Sequence, residues 1–115
     1  KTEVLLSGQM NLLFYPELEH GGARRVMDFL EQREELCALL GQRPSQVSFS
    51  IGRELGRGDL DKVTLAVSRY QANGQDAGAL AVLGPVRMDY PRVAALLSYV
   101  TNQVSQAFAV LMRDE

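Results

Sequence analysis

The feature that most limits what this chain can fold into is a run of apolar residues over positions 93–111. Val93, Leu96, Leu97, Val100, Val104, Phe108 and Leu111 recur at intervals of three, four and seven. That is the period of a helix with one apolar stripe. Asp89-Tyr90-Pro91 stands just before it. Proline suits the opening of a helix, where its missing N–H leaves no bond unmade, so Pro91 is expected at the first helical position. Each stripe side chain contributes roughly 1.5–3 kcal/mol when fully buried. Such a helix must lie on a second surface.

The rest of the sequence supplies a sheet as that surface. Val47–Ile51 alternates as Val-Ser-Phe-Ser-Ile, the period of a half-buried strand. Lys62–Tyr70 returns to alternation, with Val63, Leu65 and Val67 on one face. Ala72-Asn73-Gly74 reads as a hairpin-type turn. Ala79–Leu83 then reads as a third strand, buried on both faces or nearly so. The short turn makes strands two and three antiparallel neighbours.

Upstream, Ala23–Leu40 reads as one helix, with Val26, Met27, Leu30, Cys37 and Leu40 on its apolar face. Gly41 is its expected stop, in the left-handed conformation. Val4–Leu6 reads as a short strand or the tail of an earlier element. Tyr15–Pro16 steers the backbone away from helix, and Gly21–Gly22 marks a turn. The order helix, three strands, helix gives an α+β fold: an antiparallel sheet of at least three strands with helices packed on it. The 115 residues suffice for one domain, 1–115. The chain opens on Lys1 rather than methionine, and so reads as a segment of something longer.

Charge and composition narrow the function. A phosphate-binding surface needs clustered Lys and Arg to displace counterions. Here 12 basic and 14 acidic residues are mixed, for a net charge of −2. The densest basic spot, Arg24–Arg25, is followed by Asp28, Glu31, Glu34 and Glu35, which disfavours nucleic-acid binding by these residues alone. The single cysteine, Cys37, cannot form an intrachain disulfide, and it reads as a small core hydrophobe. With no apolar run of membrane length and no leader pattern, a cytoplasmic location and no membrane partner are expected.

No catalytic or cofactor centre is expected either. His20 is the only histidine, whereas a zinc site needs three or four ligands and a hydrolytic triad needs a placed base. Ile51–Gly58 is rich in glycine and arginine, but lacks the order of a phosphate-binding loop and leads into a strand rather than a helix. Glu34 and Glu35 are adjacent, so on a helix they point about 100° apart and form a solvated face rather than an acid/base pair.

One segment is far more specific. Gly84-Pro85-Val86-Arg87-Met88-Asp89-Tyr90 resembles the GPxRMxY signature of HrcA-type heat-inducible transcription repressors. Gly8 with Asn11-Leu12-Leu13 and Pro16-Glu17 is similar to that family's G-x-x-N-L-L…P-E segment. Ile51-Gly52-Arg53-Glu54 resembles its IGxE strand end. Leu30-Glu31, Leu39-Leu40, Tyr70 and Gly78 agree in order and spacing, so the resemblance runs over essentially the whole chain. There are departures: Leu18 stands where the family usually has Phe, Leu55 where it usually has Asn, and the strand Lys62–Tyr70 is less typical.

The resemblance implies a GAF-like regulatory part of a larger repressor. An N-terminal winged-helix DNA-binding domain and an inserted dimerising segment would complete the protein. The full-length protein is expected to be a homodimer that binds an inverted-repeat operator upstream of chaperone operons. The chaperonin is expected to support its activity, which falls when misfolded protein occupies the chaperonin. The motif residues Gly84, Pro85, Arg87, Met88, Tyr90, Gly52, Glu54, Asn11, Pro16 and Glu17 are then expected to serve packing. Arg87 is expected to pair with Glu54 or Glu17, because a buried charge needs a partner, and Met88 and Tyr90 to anchor the last helix. The competing expectation is a GAF-like small-molecule sensor, against which the hairpin strands offer few polar groups facing a pocket.

Overall fold

One strand lies at the centre of the fold and is covered on both faces. The computed structural model describes residues 5–18, 21–41, 47–56, 60–72 and 74–113. In it β2 (Val63–Ala72) runs between β1 (Ser48–Ile51) and β3 (Gln75–Pro85), antiparallel to both. Every residue from Val63 to Ser68 is buried. Strand alternation sends Val63, Leu65 and Val67 to one face and Thr64, Ala66 and Ser68 to the other. The mixed α+β architecture read from the sequence is the one observed.

On the aliphatic face lie two short 3-10 turns (Gln9–Phe14 and Pro16–Leu18) and two helices, α1 (Gly22–Leu30) and α2 (Arg33–Gly41). Leu12, Leu18, Val26, Phe29, Leu36, Leu55 and Leu60 form the core there with Val63, Leu65 and Val67. The opposite face carries α3 (Tyr90–Arg113), which buries Leu97 and Thr101.

Several sequence expectations change. The segment Ala23–Leu40 is two helices rather than one. At the break the amides of Glu31 and Gln32 turn back to the Asp28 and Phe29 carbonyls, and the Leu36 amide restarts the ladder on the Gln32 carbonyl. No proline or glycine marks this point, so packing sets it. Gly41 is the last helical residue and is not among the left-handed glycines.

In β1, Ser48 and Ser50 lie opposite Val67 and Leu65, on the aliphatic face, while Phe49 and Ile51 share the α3 face. Ser50 is buried and Ile51 is 37% exposed, the reverse of the expected apolar-in pattern. β3 is an edge strand, so it is half-covered instead of buried on both faces. Pro91 is the second residue of α3. Asp89 caps that helix by accepting the Arg92 amide at 3.2 Å, which satisfies a first-turn donor.

The hairpin forms as expected: Ala72 pairs with Gln75, and Gly74 takes φ +76°. Val4, His20, Asn73 and the loop positions Arg57 and Gly58 lie outside the described residues. Leu5 and Leu6 are in no regular element. Among the described residues, no helix is long and apolar enough to cross a membrane.

Candidate functional site

The signature segment folds into a joint between the end of β3 and the start of α3. Gly84 is buried and pairs with Thr64. A Cβ there would stand 2.8 Å from the Met88 methyl, so the Met88 side chain packs over the bare backbone of this glycine. Pro85 closes the ladder opposite Val63. The Tyr90 hydroxyl donates to the Val86 carbonyl and meets the Thr64 hydroxyl at 3.2 Å. Its ring also stands edge-on to Phe49, with centroids 5.1 Å apart at 79°. One side chain thus ties β1, β2 and the segment that follows β3 to the last helix.

Ile51-Gly52-Arg53-Glu54 sits at the same end of the sheet, because Ile51 and Gly84 flank Thr64 from either side. Gly52 has φ +56°, and a Cβ would approach the Asp61 carbonyl to 2.7 Å, so only glycine is comfortable there. The Glu54 carboxylate accepts the Ile51 amide at 2.7 Å. Leu55, the departure from the usual Asn, and Leu18, the departure from the usual Phe, are both core residues, each 5% exposed.

Arg87 is exposed, just past the end of β3. The side chain of Glu17 lies outside the described residues. Met88 is half-buried against Gly84. Asn11 and Pro16 lie in the 3-10 turns of the other layer, away from the joint. Asn11 instead lines a cleft of about 880 Å³ between that layer and β3.

This cleft holds the group that sequence reasoning missed. Arg69 shares the face of Val63, Leu65 and Val67 and lines the cleft with Asp76, Leu36, Leu40 and Leu83. Its Nε donates to Asp76 Oδ1 at 2.7 Å and its Nη2 to Oδ2 at 2.6 Å, while its Nη1 reaches the Leu40 carbonyl at 2.9 Å. The forked geometry fits a carboxylate and fastens α2 to the hairpin. These hydrogen bonds hold the Asp76 carboxyl below its usual range and raise Arg69. The signal was present in the sequence, as an arginine on an otherwise aliphatic face. Cys37 is half-buried on the cleft wall. Among the described residues, no three or more His, Cys, Asp or Glu side chains group closely enough to hold a metal.

Fold and site together define a small α+β module organised around a packed joint and a cleft of mixed polarity. The chain belongs to the HrcA family: the family model described as "HrcA protein C terminal domain" matches residues 1–94. It is 35% identical over 117 residues to the heat-inducible transcription repressor HrcA of Desulforudis audaxviator, covering 98% of this chain and 34% of that protein. It is 34% identical over 107 residues to the protein of the same name from Natranaerobius thermophilus, covering 92% and 31%. The Laribacter hongkongensis protein of that name is 37% identical over 113 residues, covering 95% and 33%. The chain therefore spans about a third of the length of these relatives. A crystal structure of a hypothetical protein shares the fold, with a TM-score of 0.78 and 24% identity over 90% of this chain and 31% of that one.

Proposed function

We propose that this chain is the GAF-like regulatory and assembly part of a cytoplasmic, heat-inducible transcription repressor of chaperone operons. The observation that carries the reading is the family match over residues 1–94, with the signature segment folded into the joint at Tyr90. The repressor is a homodimer that binds an inverted-repeat operator through a winged-helix domain outside these residues. An inverted repeat needs two reading heads at fixed spacing, and a rigid module that holds the dimer sets that spacing. The motif residues act by packing and carry no catalytic step. The chaperonin acts by mass action: a partner that rescues or sequesters a marginally stable form shifts the amount of active repressor.

The test uses the polypeptide of the relatives' length, with and without these 115 residues. Operator retention is measured on gels, with and without chaperonin. The intact protein is expected to retain an intact inverted repeat, more strongly with chaperonin. Equal, chaperonin-responsive retention by the truncated protein would refute the reading.

The cleft favours a second reading, a small-molecule sensor, since its volume falls in the range of ligand sites. Its two charged groups are engaged with each other, which weakens that reading. Thermal-shift screening against nucleotides and metabolites separates the two: a saturable rise in melting temperature supports the sensor.

A further inference from the structure

The cleft exists because small side chains stand where the sheet needs large ones. Strand alternation and the register of β2 with β3 put Ala79, Ala81 and Leu83 on the face of Arg69, Val67 and Leu65. Two alanines are too short to reach the layer of α2 and the 3-10 turns, and the space of about 880 Å³ lies over them. It follows β3 from Asp76 to Leu83, about 23 Å at the rise of a strand. Leu6, Leu36 and Leu40 line the opposite wall, and Leu5 stands there 94% exposed.

The Asp76 end of this cleft is charged. The Arg69 side chain is only 16% exposed, and it already holds a carboxylate in fork geometry, Asp76 at 2.6 and 2.7 Å. The seat is well covered and its occupant is not, since Asp76 is 55% exposed near the hairpin turn. An ion pair with so exposed a partner is worth no more than about fivefold in an equilibrium constant. Each methylene taken out of water is worth about fourfold. A carboxylate that brings its own apolar tail therefore displaces Asp76 with its first few methylenes, and the rest of the tail offsets the cost of association.

We infer that the cleft binds an unbranched monocarboxylic acid. Its carboxylate takes the Arg69 fork from Asp76, and its tail lies along Ala79, Ala81 and Leu83, covering Leu5 and Leu6. Asp76 closes the seat when no acid is bound. The inference deepens the small-molecule reading above and rests on it; it does not need the repressor reading.

Calorimetric titration of the full polypeptide that carries these residues tests this at neutral pH, with decanoate, decan-1-ol and acetate as probes. Decanoate is expected to saturate at one per chain. Decan-1-ol, with the same tail and no charge, is expected to bind more than about tenfold weaker. Acetate, with the charge and no tail, is expected to show no saturable binding. Asp76→Asn removes the competing carboxylate and leaves Arg69 in place, so it is expected to tighten decanoate by about three- to fivefold. Arg69→Met is expected to abolish the preference for the acid over the alcohol. No decanoate binding, equal binding of acid and alcohol, uptake beyond one per chain, or an affinity that Asp76→Asn leaves unchanged or weakens would each overturn the inference. Decanoate that binds as expected but leaves operator retention unaltered supports the site and refutes its use as a sensor.

Discussion

Replacing Tyr90 by Phe removes one oxygen and tests whether the joint is held by that oxygen. The hydroxyl serves two partners, the Val86 carbonyl and the Thr64 hydroxyl. Val86 is half-buried, so water can replace part of its bond, and that loss is about 0.5–1 kcal/mol. Thr64 is 0% exposed. Its stranded hydroxyl adds roughly 1–2 kcal/mol, because a buried polar atom without a partner keeps its full desolvation cost. The ring remains, and with it the edge-on contact to Phe49. The expected total is about 1.5–3 kcal/mol, or a fall in melting temperature of roughly 5–12 °C for a domain of this size. Urea titration at neutral pH measures it.

The sharper test is a double-mutant cycle with Thr64→Val, which keeps the volume and removes the second hydroxyl. Once neither partner is present no polar atom is stranded between them, so the double variant is expected to be about 1 kcal/mol better than the sum of the singles. Additivity within about 0.3 kcal/mol would refute the claim that these two groups hold the joint together.

Gly52→Ala forces a side chain into a left-handed backbone and against the Asp61 carbonyl, and a destabilisation of about 2–4 kcal/mol is expected in thermal unfolding. Ser48→Ala should stabilise by roughly 1 kcal/mol, since the Ser48 hydroxyl oxygen is buried with no partner among the described residues. A drop in urea midpoint would contradict that accounting. Asp76 has a depressed folded pKa through its bonds to Arg69, so its contribution is fully present above the ordinary aspartate range and is lost as pH falls through the lower folded value. Because Asp76 is 55% exposed, Asp76→Asn is expected to cost no more than about 1 kcal/mol at neutral pH and to flatten the acid limb of a stability–pH curve.

The parts legible in the sequence were those where side-chain period and backbone chemistry agree. The stripe Val93–Phe108 announced α3, and Ala72-Asn73-Gly74 announced the hairpin. Where they disagree, the reading failed. β1 alternates cleanly, but small hydroxylated residues fit under the aliphatic layer, so Ser50 is buried while Ile51 is exposed. The break after Leu30 has no local signal, because Glu31 and Gln32 are ordinary helix formers and only tertiary packing separates α1 from α2. Leu60 is 1% exposed and enters the core from a polar stretch too short to show a period. In the joint, the residues of the signature were visible, but the role of Tyr90 depends on Thr64 and Phe49, which lie far off in sequence. The pair between Arg69 and Asp76 was not read from the sequence, because it depends on how the hairpin turns back on itself.

The way α3 is fastened has a mechanical consequence. Along its length the helix meets β2 through directional contacts: Tyr90 with Thr64, Thr101 with Ser68 at 3.1 Å, Ser105 with the Gln71 amide at 3.1 Å, and Phe108 stacked on Tyr70 with centroids 5.8 Å apart. An aliphatic helix can slip or roll over a sheet by exchanging one methyl group for another at small cost. A helix pegged by hydroxyls resists this, because each step of rotation or sliding unmakes several bonds at once, the Ser68–Thr101 bond among them buried. α3 therefore moves with β2 as a single strut about 36 Å long.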